Sequence, residues 1–241
     1  MEVQLIDSMG TDLTVVNAAR VSYAKQSELV WEEEDKALGI HKQTISKRDQ
    51  KLIKFLANHD HWSPFAHCSL QFRIKAPIFV ARQLVKHQVG LSWNEISRRY
   101  VDYEPEFYTP DTWRGRPLNS KQGSDGEVPV DNSKYDNMMS QLKLFYETLL
   151  NQGVAPEMAR MVLPQSMMTE WYWSGTLYAF ARVCNLRCAS DTQEETRVVA
   201  DLIDKLTQKS FPVSWKCKIA WRKKEKQMNQ HKIMESHGAI N

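Results

Sequence analysis

At 241 residues and 28.0 kDa the chain is long enough to bury a full core as one domain, or at most two. Hydrophobic residues make up 42% and charged residues 25%, an ordinary balance for a soluble protein, and a net charge of +3 is a weak attraction for any polyanion. No run approaches the roughly 18 apolar residues of a membrane span, and MEVQLIDSMG lacks the basic-then-apolar order of a signal peptide. A cytoplasmic location is therefore expected, or a host cytoplasm for a viral chain.

Glu2 to Ile6 alternates and predicts a first strand. Thr11 and Asp12 can cap a helix through Val21, which carries NAARVSY, Asn17 to Tyr23. Glu28 to Lys47 is polar and irregular. Arg48 to Asn58 has apolar positions 52, 53, 55 and 56, the pattern of an amphipathic helix. HDHWSPFAH, His59 to His67, holds three histidines, but none at the i, i+4 spacing of a zinc helix, and no cysteine cluster stands beside it. No metal is expected. The four cysteines, Cys68, Cys184, Cys188 and Cys217, show no C-x-x-C spacing and read as reduced packing residues.

Cys68 to Ile74 alternates as a half-buried strand, and Pro77 leads into a helix over Ile78 to His87 that Gly90 ends. Arg82 and Lys86 share a face of that helix, and Gln83 neighbours Lys86 and His87. The stretch to Tyr100 predicts a strand, with Glu95, Ser97 and Arg99 on one face and Asn94, Ile96, Arg98 and Tyr100 on the other. A carboxylate, a hydroxyl and a guanidinium in line can hold a nucleotide. A solvated, charged strand face accounts for the same composition.

Val101 to Ser133, rich in Pro, Gly, Asp and Asn, predicts a long loop in which Trp113, Arg114 and Arg116 can cover a ligand or simply meet solvent. Lys134 to Asn151 predicts a helix with Met138, Leu142, Phe145 and Leu149 along its apolar stripe. Pro156 opens a short helix closed by Pro164, in which Arg160 has Glu157 as a possible ion-pair partner. Met167 to Trp173 predicts a strand and Ser174 to Arg187 a helix, with Tyr178, Arg182 and Asn185 on one side. Asp191 and Glu194 suggest a capping box opening a helix to about Lys209. From Lys216 to Lys232 there are seven cations against one acid, a basic tail suited to nucleic acid or to plain solvation.

Several of these blocks together resemble the flavin-dependent thymidylate synthases: AARVS, HxxSPFxH, APIFVARQ, SWNEISRRY, ARMVLP and NLR, in family order across residues 1–215. One block departs. Where the family has Arg-His-Arg, this chain has Lys86, His87 and Gln88, and eight residues rather than seven separate Gln88 from Ser97. The resemblance implies an α+β fold with an antiparallel sheet packed by helices, one domain over 1–215 before a tail at 216–241. It further implies a homotetramer whose active sites are shared between subunits.

It also implies the conversion of dUMP to dTMP. Methylenetetrahydrofolate is the expected carbon donor, NADPH the reductant and FAD the hydride carrier. By position, Arg187 and Ser97 are the expected catalytic residues. Gln83, Lys86, Glu95, Ser97, Arg98, Arg99, Arg160 and Arg187 are expected at dUMP, with Arg160 on its phosphate and Arg187 on its uracil ring. Ser22, His61, Ser63, Lys86, His87, Gln88, Glu95, Thr176, Tyr178 and Arg182 are expected at the flavin. No activated cysteine is called for, so Cys188 stays a packing residue. Two other readings fit the same residues. One is a related flavin-dependent one-carbon transfer to another pyrimidine nucleotide. The other is a non-enzymatic nucleic-acid binder using the cations of 82–100 and the tail, and it is the weaker of the two.

Overall fold

The structure, a computed structural model, describes residues 1–35, 40–118 and 123–218. Strand β1 (Glu2–Met9) leads into helix α1 (Asp12–Arg20), and β2 (Leu29–Asp35) pairs antiparallel with β3 (Ile40–Ile45) ahead of α2 (Lys47–Asn58). A single turn, α3 (Ser63–Ala66), precedes β4 (Ser69–Pro77), α4 (Ile78–Leu84) and β5 (Leu91–Glu95). Two stubs, β6 (Arg114–Gly115) and β7 (Asp125–Glu127), pair within the long loop. Then come α5 (Asn132–Asn151), α6 (Pro156–Ala159), β8 (Met168–Thr176), α7 (Leu177–Arg187) and α8 (Glu194–Ser210), and residues 212–218 are helical.

The fold is α+β. Its antiparallel sheet has the order β1-β4-β8-β5 and helices accompany it, as expected. By internal packing the chain divides into two units, one of residues 1–6, 72–174 and 186–202, the other of 7–71, 175–185 and the residues from 203 on. Among the described residues no helix is long and apolar enough to cross a membrane.

The first unit is built on aromatic packing. Thr169, Trp171 and Trp173 alternate inward along β8, and Trp93 of β5 stacks on Trp171 at 4.4 Å and meets Trp173 edge-on at 5.5 Å. The second unit is tied by buried carboxylates. Asp12 accepts the backbone N–H of Val213 at 2.9 Å and of Ser214 at 2.8 Å, so a residue at the start of α1 caps the helical residues 212–218. Asp49 of α2 is paired with Arg20 of α1 at 2.5 Å and accepts further bonds from Ser46 and Ser27. Burial acts against its charge, but these bonds more than offset it and hold the carboxyl below the usual range.

Gly10, at φ +89°, makes the turn from β1 to α1, and a Cβ there would meet Cys68 Sγ at 2.8 Å. Burial pushes the Cys68 thiol up to about 12, so it packs and does not react.

Several expectations need correction. Within Glu28 to Lys47 the described residues are not irregular, since β2 and β3 pair antiparallel there. The helix after Pro77 stops at Leu84, short of His87, and Gly90 instead turns the chain into β5 at φ +76°. The strand predicted to reach Tyr100 ends at Glu95. The apolar stripe of α5 is rotated: Tyr146 is its buried residue, while Met138 is 52% exposed and Phe145 51%. Residues 174–176 belong to β8, and Thr176 Oγ1 then accepts the Ala179 N–H at 3.1 Å to start α7. Helix α8 starts at Glu194, not at Asp191. Lys216 and Lys218, placed in a tail by sequence, are helical. The tail's other cations lie outside the described residues.

Candidate active site

The end of β5 decides the geometry in the first unit. Past Glu95 the chain leaves the strand, and Ser97 to Tyr100 form a turn closed by the Tyr100 N–H on the Ser97 carbonyl at 3.0 Å. Period two no longer applies, so neighbouring side chains take unrelated directions. Glu95 is held from both sides: Thr169 Oγ1 donates to one oxygen at 2.8 Å and Trp93 Nε1 to the other at 3.1 Å. Glu95, Arg98 and Arg160 come together on the wall of one cavity of about 140 Å³, with Thr169, Tyr103 and Leu163 among its other lining residues.

Arg98 is 6% exposed; it donates to the Tyr103 carbonyl and its guanidinium lies 4.3 Å from the Tyr103 ring centre. It shapes the wall. Arg160 is exposed, and its Nε donates to the Glu157 backbone carbonyl at 3.2 Å, not to the carboxylate considered from sequence. That leaves its two terminal nitrogens for a ligand. Arg99 Nε donates to Ser97 Oγ at 2.9 Å. The Ser97 hydroxyl therefore accepts from the arginine and keeps its own proton to donate.

Arg187, at the last turn of α7, donates through Nε to His87 Nε2 at 3.0 Å. The imidazole must accept here, which places its proton on Nδ1. Burial lowers the Arg187 pKa from its ordinary value. His87 thus orients the guanidinium by one nitrogen, and neither terminal nitrogen has a partner among the described residues. Gln83 Nε2 donates to Gln193 Oε1 at 3.4 Å, and its Oε1 is buried without a partner among the described residues. Lys86 and Gln88 are exposed, and their side chains make no hydrogen bond or ion pair among the described residues.

The remaining expected flavin residues lie in the second unit. Ser22 is exposed on the 3-10 turn Val21–Tyr23, which the Arg20–Asp49 pair anchors. His61 and Ser63 are exposed around Trp62, whose ring sits 5.9 Å from that of Tyr178. Arg182, one turn beyond Tyr178, is exposed and unpaired among the described residues.

Sequence reasoning missed the Trp93–Trp171–Trp173 floor under Glu95, although Trp171 and Trp173 at i, i+2 carried the signal. It also missed a second cavity in the first unit, of about 360 Å³, lined by Phe79, Tyr108, Trp113 and Tyr135 and, on its polar side, Arg114 and Glu195. Arg114 bridges Glu194 at 3.2 Å and also pairs with Glu195. Burial opposes the Glu195 charge, yet the hydrogen bond from Arg114 more than offsets it and keeps the carboxyl below its usual range. Arg114 and Trp113, which bonds Asn132 at 2.6 Å, are therefore committed inside the unit.

A family model described as thymidylate synthase complementing protein matches residues 4–213. The chain belongs to this family. It is 38% identical over 215 residues to the flavin-dependent thymidylate synthase of Thermus thermophilus, covering 88% of this chain and 73% of that one. The enzyme of the same description from Kosmotoga olearia is 37% identical over 218 residues, covering 88% and 87%. Among solved structures, the UMP/dUMP methylase PolB from Streptomyces cacaoi bound with 5-Br dUMP superposes with a TM-score of 0.74 at 30% identity, covering 91% of this chain and 94% of that one. The same methylase bound with 5-Br UMP gives a TM-score of 0.73 at 29% identity. The protein is thus an enzyme of the flavin-dependent thymidylate synthase family, and membership in that family brings FAD with it.

Proposed function

We propose that the enzyme reductively methylates dUMP to dTMP, with methylenetetrahydrofolate as carbon donor and NADPH as reductant. The observation that carries this reading is Arg187, half-buried, oriented by His87 and with both terminal nitrogens free of partners among the described residues. Making C5 of a uracil ring nucleophilic requires stabilising the anion that develops across the ring and its carbonyl oxygens. A fixed guanidinium in a partly desolvated site does this without reorganising. Arg99 and Arg160 take the phosphate by charge-assisted bonds, the Ser97 hydroxyl donates beside them, and Glu95 accepts from the sugar or a ring N–H. Gln83, Lys86 and the Arg98 wall complete the nucleotide contacts.

The residues present fit FAD. In the second unit Arg182, an exposed cation without a partner among the described residues, suits its diphosphate, and Trp62 and Tyr178 offer flat rings to its planar ends; in the first unit Lys86 is likewise an exposed cation suited to a phosphate. When bound, FAD carries the hydride. Ser22, His61, Ser63, His87, Gln88, Glu95 and Thr176 supply the remaining contacts. Lysine lacks the planar fork of arginine and glutamine lacks its charge, so the Lys86–His87–Gln88 triplet grips the cofactor less firmly than Arg-His-Arg does. A homotetramer with shared sites completes this reading.

A second substrate is favoured by one observation: the methylase to which this chain is similar was solved with both 5-Br dUMP and 5-Br UMP. On that reading UMP is also methylated. Incubating the flavin-loaded enzyme with dUMP or UMP, NADPH and methylenetetrahydrofolate, then weighing the product, tests both. A 14 Da gain on dUMP alone supports the first reading, a gain on UMP as well supports the second, and no gain on either overturns both.

A further inference from the structure

Lys218 lies beyond residues 4–213, the span matched by the family model, and yet it is built into the second unit. Only 6% exposed, it directs Nζ to Asp60 Oδ1 at 3.1 Å. The same ammonium lies 4.9 Å from the Phe65 ring centre and 5.0 Å from that of Tyr178. Its carbonyl accepts from Asn185 Nδ2 of α7 at 3.4 Å. Asp60 has a left-handed backbone at φ 52°, uncommon outside glycine, and it opens the segment His61, Trp62, Ser63.

Burying an ammonium costs more than burying a methionine of the same length, and its carboxylate partner is 64% exposed and so repays little of that cost. A packing role alone does not account for a lysine here. What the ammonium does is fix two things at once: the ring of Tyr178, by lying against its face, and the left-handed turn at Asp60. Between them stands the open pair of Trp62, 53% exposed, and Tyr178, with Arg182, unpaired among the described residues, one turn further along α7.

We propose that Lys218 is a positioning residue for the cofactor: it sets the Trp62–Tyr178 pair as a stacking platform for a planar heteroaromatic ring whose phosphates meet Arg182. This rests on the reading that FAD is the ligand of these residues. A cation behind the tyrosine face orients the ring and lowers its electron density where the ligand stacks.

The test is FAD titration into the stripped full-length protein, followed by tryptophan fluorescence, for wild type, Lys218→Met and Lys218→Arg, with dUMP affinity and thermal unfolding measured alongside. Lys218→Met is expected to weaken FAD binding about tenfold, the scale of one desolvated cation–π contact. Lys218→Arg recovers most of it, and dUMP affinity stays at the wild-type value. Wild-type FAD affinity in a folded Lys218→Met protein overturns the proposal. So does an equal loss of FAD and dUMP binding, the mark of general destabilisation. If Lys218→Met does not fold, Asp60→Asn decides: it frees the ammonium from an exposed partner, a several-fold loss of FAD affinity supports the proposal, and none overturns it. A wild type that binds no FAD removes the flavin reading itself, an outcome distinct from all of these.

Discussion

Arg187 shows how much a single side chain can be prepared for its work before a ligand arrives. One nitrogen is spent on His87 and two are left. Arg187→Lys keeps the charge and loses the fork, and the expected result is a fall in kcat of about a hundredfold or more with little change in unfolding temperature. Steady-state kinetics and a thermal melt on the same preparation check it. Arg99 and Arg160 predict a second outcome. Two charge-assisted contacts to phosphate at about 1.5–3 kcal/mol each make dUMP bind at least roughly a hundredfold better than deoxyuridine in calorimetry. Equal affinities would remove both residues from the phosphate. The residue types at these positions were legible from sequence because charge and hydrogen-bonding chemistry are written in the letters. The directions of Ser97, Arg98 and Arg99 were not, because a turn replaces the strand that period two assumed.

At the scale of elements, the Arg20–Asp49 pair joins α1 to α2 and holds the 3-10 turn bearing Ser22. Both side chains are nearly out of water, at 14% and 4% exposure. Removing one partner strands the other, so Asp49→Ala is expected to cost about 3–5 kcal/mol in denaturant unfolding. The folded-state pKa of Asp49 is depressed. Its contribution is therefore complete above the unfolded-state value near 4 and is lost as pH falls through the lower folded value. Urea midpoints of wild type and Asp49→Asn should converge as pH drops below about 4 and separate above it. Helices and strands with clean periods, such as Cys68 to Ile74, were readable in advance. The β2–β3 pair was not, because its strands carry charges and exposed apolar residues such as Trp31 and show no alternation.

For the whole molecule, the rotated face of α5 carries the next prediction. Met138, Leu144 and Phe145 on α5, with Met158 on α6 and Met161 just after it, leave apolar surface exposed on one unit. The expected homotetramer offers a cover for it. Light scattering on the wild type should give the mass of four chains, and Phe145→Glu should shift it to a smaller assembly. A monomeric wild type would end that expectation. The spacing of apolar residues alone does not tell a face packed inside the unit from one left exposed, so the expected stripe includes the exposed Met138 and Phe145 in place of the buried Tyr146.

The carboxylate of Asp12, bonded to two backbone N–H groups 201 and 202 residues further on, has a bearing on the order of events during synthesis. While the chain is being made, α1 emerges with this carboxylate still in water, and its partners appear only about 200 residues later. Closing a loop of that length comes late and carries a large entropic cost before any contact rewards it. The second unit is therefore expected to lock only once the chain through Lys218 has cleared the ribosome, whereas the first has all its residues by Leu202. Ribosome-held chains stopped at Ser210 should be cut by protease within α1 and α2, and chains extended through Lys218 and a tether long enough to clear the ribosome should resist.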